Sequence, residues 1–255
     1  MTVLVGGVGQ LFQGDLDLGR IAVDRLAGED LGPGVAVEEL HYGAIAVAQR
    51  LEELQPDTLV LVGAERRGRV AGTVQRRWLG SPTLGGFDVD ATSVQGAVHD
   101  AATGYVSIDL ILEVGTGFGA LPDRTIAIEV EPASVGPAEG LSFSAEQGLV
   151  QALDLVRAEV RRAPLFAVAA QLRGLLDGDR LQPAPAVAAM ADLLSELELL
   201  DREGRWGHTF SARERVRQGI AGGDTPEGME HLDWALWWTL LEELDRLQPL
   251  EGLRD

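Results

Sequence analysis

The sequence predicts an α/β fold: a mostly parallel, twisted sheet flanked by helices, followed by an all-helical C-terminal part. Three observations predict it. Strand-like and helix-like segments alternate from Thr2 to about residue 162. One strand segment, Asp57 to Ala64 (DTLVLVGA), is apolar almost throughout, as expected at the centre of a parallel sheet. Beyond Ala163 only helical spacing of apolar residues recurs. The chain therefore divides into an α/β domain, residues 1–162, and a helical extension, residues 163–255.

The elements follow in order. Residues 2–6 form a short buried strand that gives way to glycines. Leu18, Ile21, Ala22 and Leu26 then fall at helical spacing. A second strand is expected near Val35 to Leu40, and AIAVAQRLEEL gives the next helix. After the apolar third strand, RVAGTVQRRWL supplies an additional strand and GYVSIDLILEVG has helical length. RTIAIEVEP is a further strand, and a long helix follows with Ser144 as its expected N-cap. The extension reads as two amphipathic helices separated by DGDRLQPAP, then SARERVRQGI, then a last helix near Pro226 to Leu247. Trp234, Trp237 and Trp238 lie at helical spacing there and read as core. Ligand sites in such sheets gather beyond the carboxyl ends of the strands. The loops at Gly6 to Asp17, His41 to Gly43, Gly63 to Gly68 and Glu131 to Ser142 are thus expected on one rim.

Composition removes whole classes of chemistry. Cysteine is absent, which excludes disulfides, thiolate metal sites and cysteine nucleophiles. All 21 cationic side chains are arginine, so Schiff-base and Walker-lysine mechanisms are excluded as well. A formal charge of -19 argues against nucleic acid as a partner. No uncharged apolar run is long enough for a membrane span and no signal segment is evident, so a cytoplasmic protein is expected. The one basic cluster, Arg66, Arg67, Arg69, Arg76 and Arg77, reads as a solvated basic strand or loop, or else as a docking patch.

The glycine loop after the first strand, GGVGQLFQGDLDLG, fits two phosphate motifs poorly. Phe12 stands where a dinucleotide fingerprint needs its third glycine. Asp15 and Leu16 stand where a P-loop needs lysine and Ser/Thr. A third pattern fits better. Gly7-Val8-Gly9-Gln10, Asp15 and Gly19 match the opening of the hydrogenase maturation proteases, with Gln10 in place of the usual asparagine. A second block, IAIEVEPASVGPAEGLSFSAE, matches that family at Pro132, Ser134, Gly140, Leu141, Ser142 and Glu146. The first 160 or so residues are thus similar to the endopeptidases that trim the C-terminus of nickel-iron hydrogenase large subunits. The helical extension is longer than the tail usual in that family.

The resemblance implies a site of two acids and a histidine that hold or sense nickel carried by the substrate, the unprocessed large subunit. It implies no other cofactor. Imidazole and carboxylate suit a first-row divalent ion, which polarises a carbonyl or activates water. The first family acid falls on Leu16 and the second on Gly63, neither of which can ligate. A displaced metal set of His99, His41, Asp17 and Glu65 is the expected substitute, with Gly9, Gln10, Asp15 and Gly43 as substrate-binding positions. For His41 the competing expectation is a strand-end histidine; for Asp15 and Asp17 it is a structural or helix-capping role. His208 and His231 have no metal-spaced partner and read as surface or packing residues. Ser142 and Ser144 lack a nucleophile-elbow context. Two functions follow from the resemblance: an endopeptidase acting on the hydrogenase large-subunit precursor, or a proteolytically inactive relative that binds it as an assembly chaperone.

Overall fold

The computed structural model describes residues 1–80, 106–178, 185–204, 210–221 and 231–251. It divides into two compact units, Met1–Val160 and Arg161–Asp255.

The first unit is built on five strands: β1 Val3–Val8, β2 Val35–Glu39, β3 Thr58–Ala64, β4 Val74–Trp78 and β5 Arg124–Val130. Their order across the sheet is β2-β1-β3-β5-β4. All neighbours pair in parallel except β4, which runs antiparallel to β5 at the edge. Helices α1 Leu18–Leu26, α2 Ala44–Leu54 and α3 Ile108–Phe118 supply the connections, and α4 Phe143–Gly178 follows β5. The expected mostly parallel, helix-flanked sheet is what the chain forms.

Alternation along the strands fixes what each face meets. Leu4, Val8, Leu59 and Leu61 join the core made with Val47, Leu51, Ile108 and Ile111 of α2 and α3. On the opposite face Gly7 meets α1, and Val130 meets Gly148 of α4. Strands β3 and β5 are buried along nearly their whole length, which explains the continuous apolar run read from Leu59 to Val62.

Gly7, expected to lie beyond the strand of residues 2–6, is inside β1 with Gly6. A Cβ at Gly7 would stand 2.2 Å from the Gly19 carbonyl oxygen, and a Cβ at Gly19 would stand 2.1 Å from that of Val8. The two glycines of the opening motif therefore let α1 lie directly against β1. Their spacing encodes a close approach between two backbones.

Two helix expectations are corrected at α4. Its first turn is capped by Ser142, not Ser144: the Ser142 Oγ accepts the Ala145 N–H at 3.3 Å. The change in composition at Ala163 does not end the helix, which runs on through Pro164. Pro164 has no N–H, so the Val160 carbonyl loses its usual partner at this point. The described part of the second unit is wholly helical, with α5 Pro185–Glu203, α6 Phe210–Ala221 and α7 His231–Glu251 after the end of α4. Leu165, Leu172, Met190, Leu193 and Leu240 close its core around Trp237. Trp237 is fully buried and Trp234 packs against that core, whereas Trp238 is exposed. Among the described residues no helix is long and apolar enough to cross a membrane.

Candidate functional site

Parallel pairing of β1, β2, β3 and β5 places their carboxyl ends on one side, as the sequence suggested. A cleft of about 500 Å³ opens there, lined by Gly9, Gln10, Leu16, Glu65, Arg66 and Asp109, among others. Of the expected site residues, Gly9, Gln10 and Glu65 line it. Asp15, Asp17, His41 and Gly43 do not. His99 and His208 lie outside the described residues, and only the backbone of His231 is described.

Asp15 is fully buried and works as a clamp. Its carboxylate accepts the Ala133 N–H at 2.7 Å, the Ser134 N–H at 3.0 Å and the Ser142 N–H at 2.6 Å, and the Ser142 hydroxyl donates to it at 2.8 Å. The two sequence blocks that carry the family resemblance thus meet at one side chain. Asp15 belongs to the loop after β1, and its partners to the loop after β5. A parallel bridge between Gln13 and Ala138 reinforces the junction.

Asp17 is held from both oxygens by Arg20, at 2.8 and 2.6 Å, and makes no side-chain cap bond to α1. His41 stands at the end of β2 with its Nδ1 3.2 Å from a Glu39 carboxylate oxygen and its ring edge-on to Tyr42. Gly43 precedes α2 and its carbonyl accepts the Val47 N–H. None of these three belongs to the cleft lining.

Glu65 differs from all of them. It is 9% exposed, lines the cleft, and accepts the Ile108 N–H at 2.6 Å at the start of α3. Burial pushes its carboxyl up to about 7, against the opposing pull of the Ile108 N–H. Between the ordinary carboxylate value and about 7 the unfolded chain is ionised while the folded one holds the proton. Stability therefore falls as pH rises through that window and stays low above it. Glu65→Gln keeps the acceptor for Ile108 and removes the charge. Its unfolding free energy from urea titration should match the wild type near pH 4 and exceed it above pH 8, by on the order of 2–3 kcal/mol. Parallel stability profiles for the two proteins would contradict this.

The basic cluster is neither a solvated strand nor a free patch. Arg67 grips Asp109 with two nitrogens, at 2.6 and 2.8 Å, and buried Glu129 with two more contacts, at 3.1 and 2.7 Å. Arg69 and Arg77 also reach Glu129, at 3.2 and 3.0 Å. Arg76 pairs with buried Glu159 of α4 at 2.8 Å. The Arg67 guanidinium holds Asp109 below the ordinary carboxylate value. Glu131 accepts the backbone N–H groups of Arg67 and Gly68, at 2.8 and 3.1 Å, which fixes the loop after β3. Arg66 is the exception: it is exposed at the cleft without an ion-pair partner among the described residues.

These contacts concern the described members of the expected metal set, Asp17, His41 and Glu65, since His99 lies outside the described residues. Among the described residues no three metal-ligating side chains converge. Asp17 is committed to Arg20, Asp109 to arginines and His41 to Glu39, which leaves Glu65 as the cleft's uncommitted carboxyl. Leu16 lines the cleft where the family acid is expected, and a Cβ at Gly63 would stand 2.7 Å from the Val8 carbonyl oxygen. The described donors do not fit a three-ligand nickel site. Among the cleft residues that sequence reasoning left out of the site are Gln13, Ser107 and Asp109. Ser107 caps α3 by accepting the Leu110 N–H, and a Ser-x-Asp ahead of an apolar helix was the available signal.

No family model matches the chain, and no curated protein matches its sequence. Solved structures similar to it include a hydrogenase 2 maturation peptidase from Thaumarchaeota archaeon SCGC_AB-539-E09, at 22% identity and a TM-score of 0.45, covering 63% of this chain and 98% of that one. The hydrogenase maturating endopeptidase HybD from E. coli is similar at 20% identity and a TM-score of 0.48, covering 64% and 94%. A hydrogenase maturation protease HycI from Thermococcus kodakarensis KOD1 is similar at 18% identity and a TM-score of 0.40, covering 62% and 91%. Function is read from the residues of the site.

Proposed function

We propose that this chain is a nickel-iron hydrogenase maturation protein that engages the large-subunit precursor at the rim of the sheet, in the manner of the endopeptidases that remove its C-terminal extension. One observation carries the reading. Asp15 joins the two sequence blocks of the resemblance, through Ala133, Ser134 and Ser142, directly beside a cleft lined by Gly9, Gln10 and Leu16. The motifs are separated by more than a hundred residues and meet at the place where such sheets bind ligands. Nickel belongs here to the substrate. Glu65 is the cleft residue suited to exchange a proton near neutral pH.

A second reading, a non-cleaving assembly factor, is favoured by Leu16 and Gly63 at the two acid positions. One experiment separates the two. Purified chain incubated with nickel-loaded precursor shortens the large subunit if it is a protease. Stable co-purification with intact precursor supports the assembly factor. Absence of both binding and cleavage overturns both readings.

A further inference from the structure

The cleft's own lining leaves the apolar side chains around it unexplained. Leu11 and Phe12 after β1, Val70 after β3 and Phe143 after β5 are all exposed, Phe12 at 66%, Val70 at 81% and Phe143 at 78%. Their loops are bonded to one another. The Ala138 N–H donates to the Phe12 carbonyl at 3.1 Å, and the Gly72 N–H donates to that of Glu131 at 2.8 Å. A Cβ at Gly72 would stand 2.5 Å from the Ser144 carbonyl oxygen, next to Phe143. These loops are therefore joined to one another at the rim that holds the cleft, and exposed apolar side chains carried on joined loops mark an interaction site.

Phe12 adds a second observation. Its φ is 58°, in the left-handed region that a bulky side chain occupies only at a cost. Glycine would hold the same turn without strain. The chain instead displays a phenyl ring from a strained backbone, between Gln10 and Gln13, which both line the cleft.

Charge selects the occupant. A net charge of -19 opposes a second copy, a nucleic acid and an anionic membrane alike. Within that negative field Arg66 is exposed at the cleft, free to take a carboxylate. We propose that this loop face docks an extended segment of a partner polypeptide that presents apolar side chains to Phe12 and Phe143 and a carboxylate to Arg66. The proposal rests on the function proposed above only for the partner's identity.

The test uses the full chain and its Phe12→Gly, Phe143→Ser and Arg66→Gln variants against two probes. One is the hydrogenase large-subunit precursor. The other is a pair of synthetic Ser-Leu-repeat decapeptides ending in a free carboxylate or in an amide. Wild type should bind both probes and prefer the free carboxylate. Phe12→Gly should weaken binding about tenfold or more, with an unchanged or higher Tm because the backbone strain is relieved. Phe143→Ser should weaken it similarly, and Arg66→Gln should erase the carboxylate preference. Decapeptides that behave in this way while the precursor fails to bind support the docking face and overturn the hydrogenase reading. Precursor that binds all variants with equal affinity overturns the docking face and leaves that reading standing. Failure of both probes with wild type overturns the face. So does self-association, measured by sedimentation, that Phe12→Gly abolishes, since the occupant is then a second copy.

Discussion

Asp15→Ala is expected to destabilise the protein by about 4 kcal/mol. The carboxylate accepts four hydrogen bonds in a fully buried position. Bonds to a charged acceptor contribute about 1.5–3 kcal/mol each, but four that share one group do not add. Alanine also takes the acceptor away from the Ala133, Ser134 and Ser142 amides, which belong to exposed or half-buried residues. The backbone bonds that survive, Gly14 N–H to the Ala138 carbonyl and Asp15 N–H to that of Ser134, keep the loops near one another. The loss should therefore be partly local: amide exchange at residues 133–142 should accelerate before global unfolding does. Asp15→Asn turns one acceptor into a donor facing donors and should recover only a minor part of the stability. A urea unfolding free energy for Asp15→Ala within about 1 kcal/mol of wild type would remove the clamp from the account.

The second large effect belongs to Glu129. It is fully buried beneath Arg67, Arg69 and Arg77. Glu129→Ala leaves three guanidinium groups gathered around a hole, with Asp109 as the remaining anion on Arg67 and Arg77. Removing one member of a buried ion cluster costs about 3–5 kcal/mol, because the uncompensated charges stay behind. Glu129→Gln preserves an acceptor and volume and should cost less, while still losing the charge. High salt screens exposed pairs but reaches buried ones weakly, so the wild type should lose little of this contribution in 1 M NaCl. Denaturation of Glu129→Ala measured beside Glu129→Gln checks the order. Equal stabilities for the two would mean that shape, not charge, makes Glu129 important.

Both sites show where sequence reading stops. The sheet was legible because its signals are local: apolar runs for β3 and β5, helical spacing for α1 and α2, and turn residues between them. Gly7 was legible as part of a motif but not as strand, because its reason is the backbone of α1, which no local pattern names. Asp15 was singled out with a structural role in view, yet its partners lie 118 to 127 residues away. The arginine cluster showed its charge in the sequence and concealed its destination. Glu129 and Glu159 are buried anions on a strand and a helix chosen by tertiary packing. Glu65 was picked for its position two residues past the expected acid. Its burial, which raises its affinity for a proton, depends on where α3 begins. The composition change at Ala163 suggested a helix end, yet the helix continues through Pro164.

The edge strand β4 has a consequence for life in a crowded solution. An open sheet margin invites another chain to add itself, and growth from copy to copy follows. Here the margin is five residues long, runs against its neighbour, and places Arg76 and Arg77 on opposite faces, each anchored to a buried carboxylate. An incoming strand would meet a short antiparallel border with two cations fixed in place. The same pairs that hold β4 to its own sheet thus discourage it from recruiting another.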